Sequence, residues 1–268
     1  MRPAPSILVL EDVSKRFGGL NVIEGLSFAV SRGSRTALIG PNGAGKTTVF
    51  NLVSGVHSVD SGRILFEGKD ISSVPSRRRI RHGIARNFQN VRLMPHLTAL
   101  ENVMVGQHSR CGGPFGVLQP VNLLPNNRWY AEARAALADA GLAAYEGATV
   151  GSLPYGVQKR IEIVRAIMAQ PRLLLLDEPA AGLNSAETEA LQRLLDRICA
   201  GATVTLLIVE HDMHFVGALC DAVVVLDFGR KIAEGTPSEI RANARVQEIY
   251  LGTTVKDATE RRHAARSA

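Results

Sequence analysis

The segment Gly40-Pro-Asn-Gly-Ala-Gly-Lys46-Thr-Thr48 constrains this chain more than any other, because it sets a glycine-rich loop between an apolar strand and a helix. Residues 35–39 predict the strand entering the loop. Residues 46–54 predict the helix leaving it, with Gly55 placed to end it. The spacing fits Gly-x-x-x-x-Gly-Lys-[Ser/Thr], in which glycines let backbone N–H groups close around phosphate oxygens. Lys46 then reaches the β- and γ-phosphates, Thr47 ligates magnesium, and a helix N-terminus faces the same oxygens. Well downstream, Leu173-Leu-Leu-Leu ends in Asp177-Glu178-Pro179. In a parallel sheet the carboxyl ends of the strands gather around the ligand, so Asp177 is expected to serve the metal. Glu178 points differently and is expected to poise a water against the γ-phosphate; the plain alternative is the start of a surface turn. Together the two segments imply a bound nucleoside triphosphate.

A chain of 268 residues, 46% hydrophobic and 21% charged, has ample core for one or two globular domains. A membrane-spanning helix needs about 20 consecutive apolar residues, and the uncharged stretch 111–127 is broken by Gly, Pro, Asn and Gln. The start, Met1-Arg-Pro-Ala-Pro, leads directly into strand-like alternation, so no signal peptide is expected. Cys111, Cys199 and Cys220 are odd in number and widely spaced, which suits reduced thiols in the cytoplasm. His211 and His214 have no His/Cys cluster beside them, so no bound transition metal is expected. The net charge of +6, with Ser76-Arg-Arg-Arg-Ile-Arg81 and Arg261-Arg-His-Ala-Ala-Arg266, raises nucleic acid as a partner. No aromatic residues are interleaved for base stacking, so a solvated face is the better reading, and anionic lipid headgroups would attract the same arginines.

Strand-like patterning covers residues 7–10, 26–30, 36–39 and 62–68. Between 98 and 169 the period becomes helical. Thr98 with Glu101 forms a capping-box pattern, 129–140 reads as an alanine-rich helix, and 157–169 places Ile161, Val164 and Met168 on one face. Residues 111–127 predict a loop or short irregular arm. After 170, strands 173–176, 204–209 and 222–226 alternate with a helix over 186–200 and a shorter one. That order predicts crossover units and a mainly parallel sheet. Asn184 with Glu187, and Thr236-Pro-Ser-Glu239, are further caps; a last helix is predicted from 237 towards 250, with a frayed polar tail beyond 253.

The phosphate loop, Gln89 in Arg86-Asn-Phe-Gln-Asn90, Leu153-Pro-Tyr-Gly-Val-Gln-Lys-Arg160, Asp177-Glu178-Pro179, Ala181-Gly-Leu-Asn184 and Glu210-His211-Asp212 follow one another in a specific order. In that order the chain resembles ATPase subunits of ABC transporters over about residues 6–252. The resemblance implies an α/β fold: a P-loop NTPase core with a mainly parallel sheet, an N-terminal antiparallel β-subdomain and an inserted α-helical subdomain. One domain, 6–252, would comprise a strand-rich core at 6–92, a helical subdomain at about 93–165 and an α/β core at 166–252, followed by the tail 253–268.

By the same resemblance the cofactors are ATP and Mg2+, cradled by Asn42, Gly43, Gly45, Lys46, Thr47 and Thr48. Gln89 joins the magnesium site to the helical subdomain, His211 is the switch on the γ-phosphate, and Asn184 lies in the loop crossing to a second subunit. Phe17 is the residue expected to stack on adenine, a contact worth about 1–3 kcal/mol; the alternative is a core phenylalanine. The segment 153–160 departs from the family's Leu-Ser-Gly-Gly-Gln pattern. Gly156 is kept, while Pro154 removes a hydroxyl that would touch the γ-phosphate held by the opposite subunit, so that trans contact is weakened rather than abolished.

The Pro-Tyr-Gly variant, the Ala-Gly-Leu-Asn form and the ending 234–252 are similar to LivG-type subunits of branched-chain amino acid importers. Importers of urea or short amides share much of the pattern. The partners implied are membrane permease subunits, a second ATPase subunit, identical or homologous, and indirectly a periplasmic solute-binding protein, with the chain peripheral on the cytoplasmic face of the inner membrane. Two rivals remain. A soluble ABC ATPase acting on nucleic acid or ribosomes usually has two cassettes or a long coiled coil, and a regulatory module that does not hydrolyse is opposed by the intact Glu178 and His211. No Asn-Lys-x-Asp sequence for reading guanine occurs.

Overall fold

The computed structural model describes residues 5–87, 91–110 and 128–249. The expectations for Gln89, for the arm at 111–127 and for the tail fall outside those residues. The described residues fall into two compact units, one from within 5–53, 57–73 and 208–249, the other from within 54–56 and 74–207.

In the first unit, β1 (Ser6–Phe17), β2 (Leu20–Ser31), β4 (Ser61–Phe66) and β5 (Lys69–Asp70) form an antiparallel sheet in the order β2-β1-β4-β5. Leu26, Phe28 and Val30 alternate into the core at the strand period. Strand β1 is longer than the alternation predicts. A bulge between Leu10 and Val13 breaks the pattern, with Asp12 at φ 48°, and the chain resumes pairing at Val13↔Leu26. The hydroxyl of Ser27 holds the bulge, accepting from Asp12 N–H at 2.8 Å and donating to Asp12 Oδ1 at 3.1 Å.

The same unit carries β3 (Arg35–Ile39), α1 (Lys46–Val53), α7 (Met213–Leu219), β9 (Ala222–Asp227), β10 (Arg230–Gly235) and α8 (Pro237–Ala242). β3 runs parallel to β9 from Thr36↔Ala222 to Ile39↔Val225. β10 turns back antiparallel on β9 and was not expected, because Arg230-Lys-Ile-Ala-Glu-Gly235 lacks an apolar run. The final helix also differs. It stops at Ala242, where Asn243 adopts extended backbone and then caps a new helical stretch at 244–249, its Oδ1 accepting from Val246 N–H at 3.3 Å.

The second unit holds α2 (Ser76–Arg79), β6 (Ile84–Arg86), α3 (Ala99–Val105), α4 (Arg128–Asp139), α5 (Tyr155–Ile167), β7 (Leu173–Asp177) and α6 (Ser185–Cys199). β6 pairs parallel with β7. The predicted face of α5 is buried, with Ile161 at 0% and Val164 and Met168 nearly so. The chain leaves the second unit and re-enters the first within β8 (Thr205–Val209); the strand order is β10-β9-β3 in the first unit and β7-β6 in the second. The apolar strands β7 and β8 are buried along their length, as parallel strands covered on both faces are.

Helix α3 starts on the predicted capping box: Thr98 Oγ1 accepts from Glu101 N–H at 3.2 Å, and Glu101 Oε2 accepts from Thr98 N–H at 2.8 Å. Thr98→Ala removes that acceptor and is expected to lower stability by about 1 kcal/mol. A shifted urea midpoint with unchanged nucleotide affinity is the result that checks it.

Candidate nucleotide-binding site

The first unit supplies the phosphate loop. Lys46 opens α1 and is nearly buried, its ammonium donating to the carbonyls of Gly40 at 2.6 Å and Pro41 at 2.9 Å. The chain therefore wraps around its own lysine. The loop is braced from behind by a turn that the sequence reading missed, since Gly229 N–H donates to Ala44 C=O at 3.0 Å and Glu24 N–H donates to Gly229 C=O at 3.1 Å. Two glycines make that close approach possible. A Cβ on Gly45, at φ 98°, would lie 2.6 Å from Ile23 Cδ1, and one on Gly229, at φ 76°, would collide with the Val22 carbonyl. Asn42, Gly43 and Thr47 are exposed, while Gly45 and Thr48 are half-buried.

Phe17 is 41% exposed, so it is not a core residue. Its ring meets His57 edge-on at 5.1 Å and lies 5.5 Å from Lys15 Nζ, and Lys15 in turn is tied to Asp60 at 2.7 Å. Those contacts present an aromatic face at the end of β1. His211 follows β8 with its side chain exposed, its backbone N–H donating to the buried Glu210 carboxylate at 3.2 Å. Asp212, next along, caps α7 by accepting from His214 N–H at 2.7 Å.

The second unit supplies the acids. Asp177 ends β7 almost fully buried, its Oδ2 accepting from Arg86 Nη2 at 2.8 Å and its N–H donating to Asn87 Oδ1 at 3.1 Å. Arg86 also donates to Ser54 Oγ at 3.2 Å. A buried carboxylate is costly without a compensating charge, and the guanidinium provides one while leaving the carboxylate a second oxygen. Glu178 is half-buried and sits at φ 46°, a left-handed backbone that costs a non-glycine residue about 1–3 kcal/mol. Its carbonyl accepts from Ala181 N–H at 3.2 Å and Lys159 Nζ at 3.4 Å.

Gly156 lies in the first turn of α5, where a Cβ would come 2.5 Å from the Glu187 carboxyl, so glycine is also what lets α5 pack against the start of α6. Glu187 is committed there: it completes the box with Asn184, whose Oδ1 accepts from Glu187 N–H at 3.0 Å. Pro154 occupies the N-cap of α5 and makes no side-chain cap, as its lack of a hydroxyl requires. Further along α5, burial raises the carboxyl of Glu162 above its ordinary range. The Arg92 N–H, the charges of Arg165 and Lys159 and the Asn87 amide all pull it back down. Glu162 Oε2 and Asn87 Nδ2 nonetheless form no hydrogen bond among the described residues.

Among the described residues no group of three or more His, Cys, Asp and Glu side chains could cage a metal. Magnesium needs fewer protein donors, one or two carboxylates together with phosphate oxygens and water, and the Asp177 carboxylate at the end of β7 is a donor of that chemistry.

A buried lysine at a helix start, wrapped by a glycine loop, together with a strand ending in two acids, defines a nucleotide-binding ATPase. The sequence matches the family model described as ABC transporter over residues 23–181, and that described as branched-chain amino acid ATP-binding cassette transporter over residues 230–256. The chain belongs to the ABC transporter family, as an ATP-binding protein whose hydrolysis is coupled to transport.

It is 40% identical to the high-affinity branched-chain amino acid transport ATP-binding protein BraF of Pseudomonas aeruginosa, over 92% of this chain and 98% of that one. The corresponding LivG protein of Escherichia coli is 38% identical over the same shares. Among solved structures, the ADP conformation of an ABC transporter's ATP-binding cassette superposes with a TM-score of 0.81 at 30% identity, over 93% of this chain and 100% of that one. A nucleotide-free cassette gives 0.79 at 30% identity, over 92% and 99%. Among the described residues no helix is long and apolar enough to cross a membrane.

Proposed function

We propose that this chain, as a single cassette over residues 6–252, binds and hydrolyses ATP with Mg2+ to drive an importer of branched-chain amino acids. Lys46, with Asn42, Gly43, Gly45 and Thr48, holds the phosphates, and Phe17 stacks on the base. Asp177, Thr47 and Gln89 would hold the magnesium, which would supply positive charge to the phosphates. Glu178 orients the attacking water and accepts its proton. His211 contacts the γ-phosphate.

Two such subunits close head-to-tail, each offering the loop at Pro154 and Gly156, and the turn at Asn184, to the nucleotide of the other. Closure moves the permease subunits, which receive solute from a periplasmic binding protein, while this chain stays peripheral on the cytoplasmic face and never touches the cargo. The γ-phosphate drives the cycle because both faces grip it, so its loss releases them.

The observation that carries the cargo is the match of residues 230–256 to the branched-chain amino acid family model, supported by the 40% identity to BraF. The test is ATP turnover by the complex assembled with its neighbouring permeases in vesicles. Receptor loaded with leucine or valine is expected to stimulate turnover and receptor offered urea is not. The reverse pattern gives the chain to an amide importer.

A further inference from the structure

Helix α5 buries two groups of opposite charge one turn apart, and the mechanism above uses neither. Lys159 is 0% exposed and Glu162 1%. Lys159 Nζ lies 3.4 Å from the carbonyl oxygen of Glu178 and 5.6 Å from the centre of the Tyr155 ring. Glu162 Oε1 accepts from Arg92 N–H at 3.0 Å, and Arg165, the next turn along, donates to Arg92 C=O at 2.8 Å. Packing alone does not call for such a pair, because well-fitted apolar side chains usually stabilise a helix interface as well or better.

What Lys159 does hold is an unfavourable backbone. Glu178 precedes Pro179, and a residue before proline prefers extended backbone, yet its φ is 46°. The direction of its carbonyl and the direction of its side chain are set at the same Cα, so a charge that fixes the first restricts the second. The ring of Tyr155 faces the Lys159 ammonium and also lies against Gly182, where a Cβ would come 3.3 Å from Cε1. Lys159 thus stands where α5, the turn after Asp177 and the loop ahead of α6 meet.

We propose that Lys159 is a positioning residue for hydrolysis: its buried ammonium holds the Glu178 carbonyl and so aims the Glu178 carboxylate, while Glu162 on the same helix is paired with Arg165 at 3.8 Å. The proposal rests on Glu178 being the residue that orients the water. Because the loop at 154–156 begins the same helix, a shift of α5 on contact with the second subunit reaches Glu178 through this ammonium.

The test uses the full-length chain. Lys159→Met is expected to lower kcat on the order of 10- to 100-fold, the loss that a small misplacement of a catalytic group causes, while KM for ATP stays within about twofold, since the group acts on the reacting geometry and not on binding. The double variant Lys159→Met/Glu162→Leu removes both buried charges and leaves Arg165, the ion-pair partner of Glu162 at 3.8 Å, to solvent. It is expected to fold and to remain slow. Wild-type kcat in either folded variant overturns the proposal, as does a parallel loss of kcat and ATP affinity, which marks a merely structural role.

Single-turnover hydrolysis in the Glu178→Gln background separates this inference from the reading beneath it. There Lys159→Met is expected to cause no further loss. An undiminished further loss shows that Lys159 acts elsewhere and overturns the proposal alone. Wild-type turnover by Glu178→Gln itself removes the assignment of Glu178 and this proposal with it.

Discussion

Glu178→Gln is expected to lower hydrolysis by about 10²–10⁴-fold, the range that a positioned general base contributes, while leaving ATP affinity close to wild type. The amide matches the carboxylate in size and keeps a hydrogen-bonding oxygen, but it cannot take a proton from water. The backbone constraint at φ 46° is the same for both side chains, so folding should not change. Two further consequences follow from losing chemistry and keeping binding. The γ-phosphate persists, so the ATP-closed dimer should accumulate and elute as a larger species with ATP than with ADP. Single-turnover assays and size-exclusion chromatography read the two effects separately. Hydrolysis within about tenfold of wild type would assign the water to another group.

Glycine spacing, an adjacent apolar strand and the acids closing a second strand made the phosphate loop and β7 legible, because few folds use those residues together. Three helix starts were equally plain, since Thr98, Asn184 and Thr236 each precede a glutamate by three positions and each forms the full capping box. What stayed hidden has physical reasons. β1 looked shorter than it is because the bulge at Asp12 breaks the period of two. β10 was missed because a polar edge strand has little apolar patterning to show. Arg86 and Asn87 showed no role in the sequence, since an ion pair between β6 and the end of β7 depends on strand register and not on local sequence.

Lys159 and Glu162 were hidden by a stronger habit, which reads charges on a helix as its wet face. A signal was present in the sequence. Val157, Ile161, Ile163 and Val164 surround α5 on more than one side, and a helix apolar on several faces is buried whatever charges it carries. Gly156 teaches the complementary lesson. Its place at the start of a helix was readable, but the room it makes for Glu187 beneath α5 appears only once the two helices are packed.

Lys46→Met is expected to abolish useful nucleotide binding, a larger effect on affinity than any other single change in the loop. The ammonium carries three donors, and two of them already hold the Gly40 and Pro41 carbonyls. The variant therefore loses the phosphate contact and the loop's own internal tie together. A hydrogen bond involving a charged group contributes about 1.5–3 kcal/mol. Losing the phosphate contact and part of the loop's order is on the order of 3–4 kcal/mol, a fall in ATP affinity of roughly 10²- to 10³-fold. Arginine is not expected to rescue it. Its planar fork is larger than the ammonium, and the site around Lys46 is nearly buried with two carbonyls set for a compact cation. Titration with a fluorescent ATP analogue measures the loss, and a thermal melt without nucleotide shows whether the fold has survived. Added ATP should raise the melting temperature of the wild type and leave both variants unmoved, because a ligand stabilises only the state that binds it. Binding by Lys46→Met within about threefold of wild type would mean that the backbone of the loop carries the phosphates by itself, with the lysine serving only to hold that backbone closed.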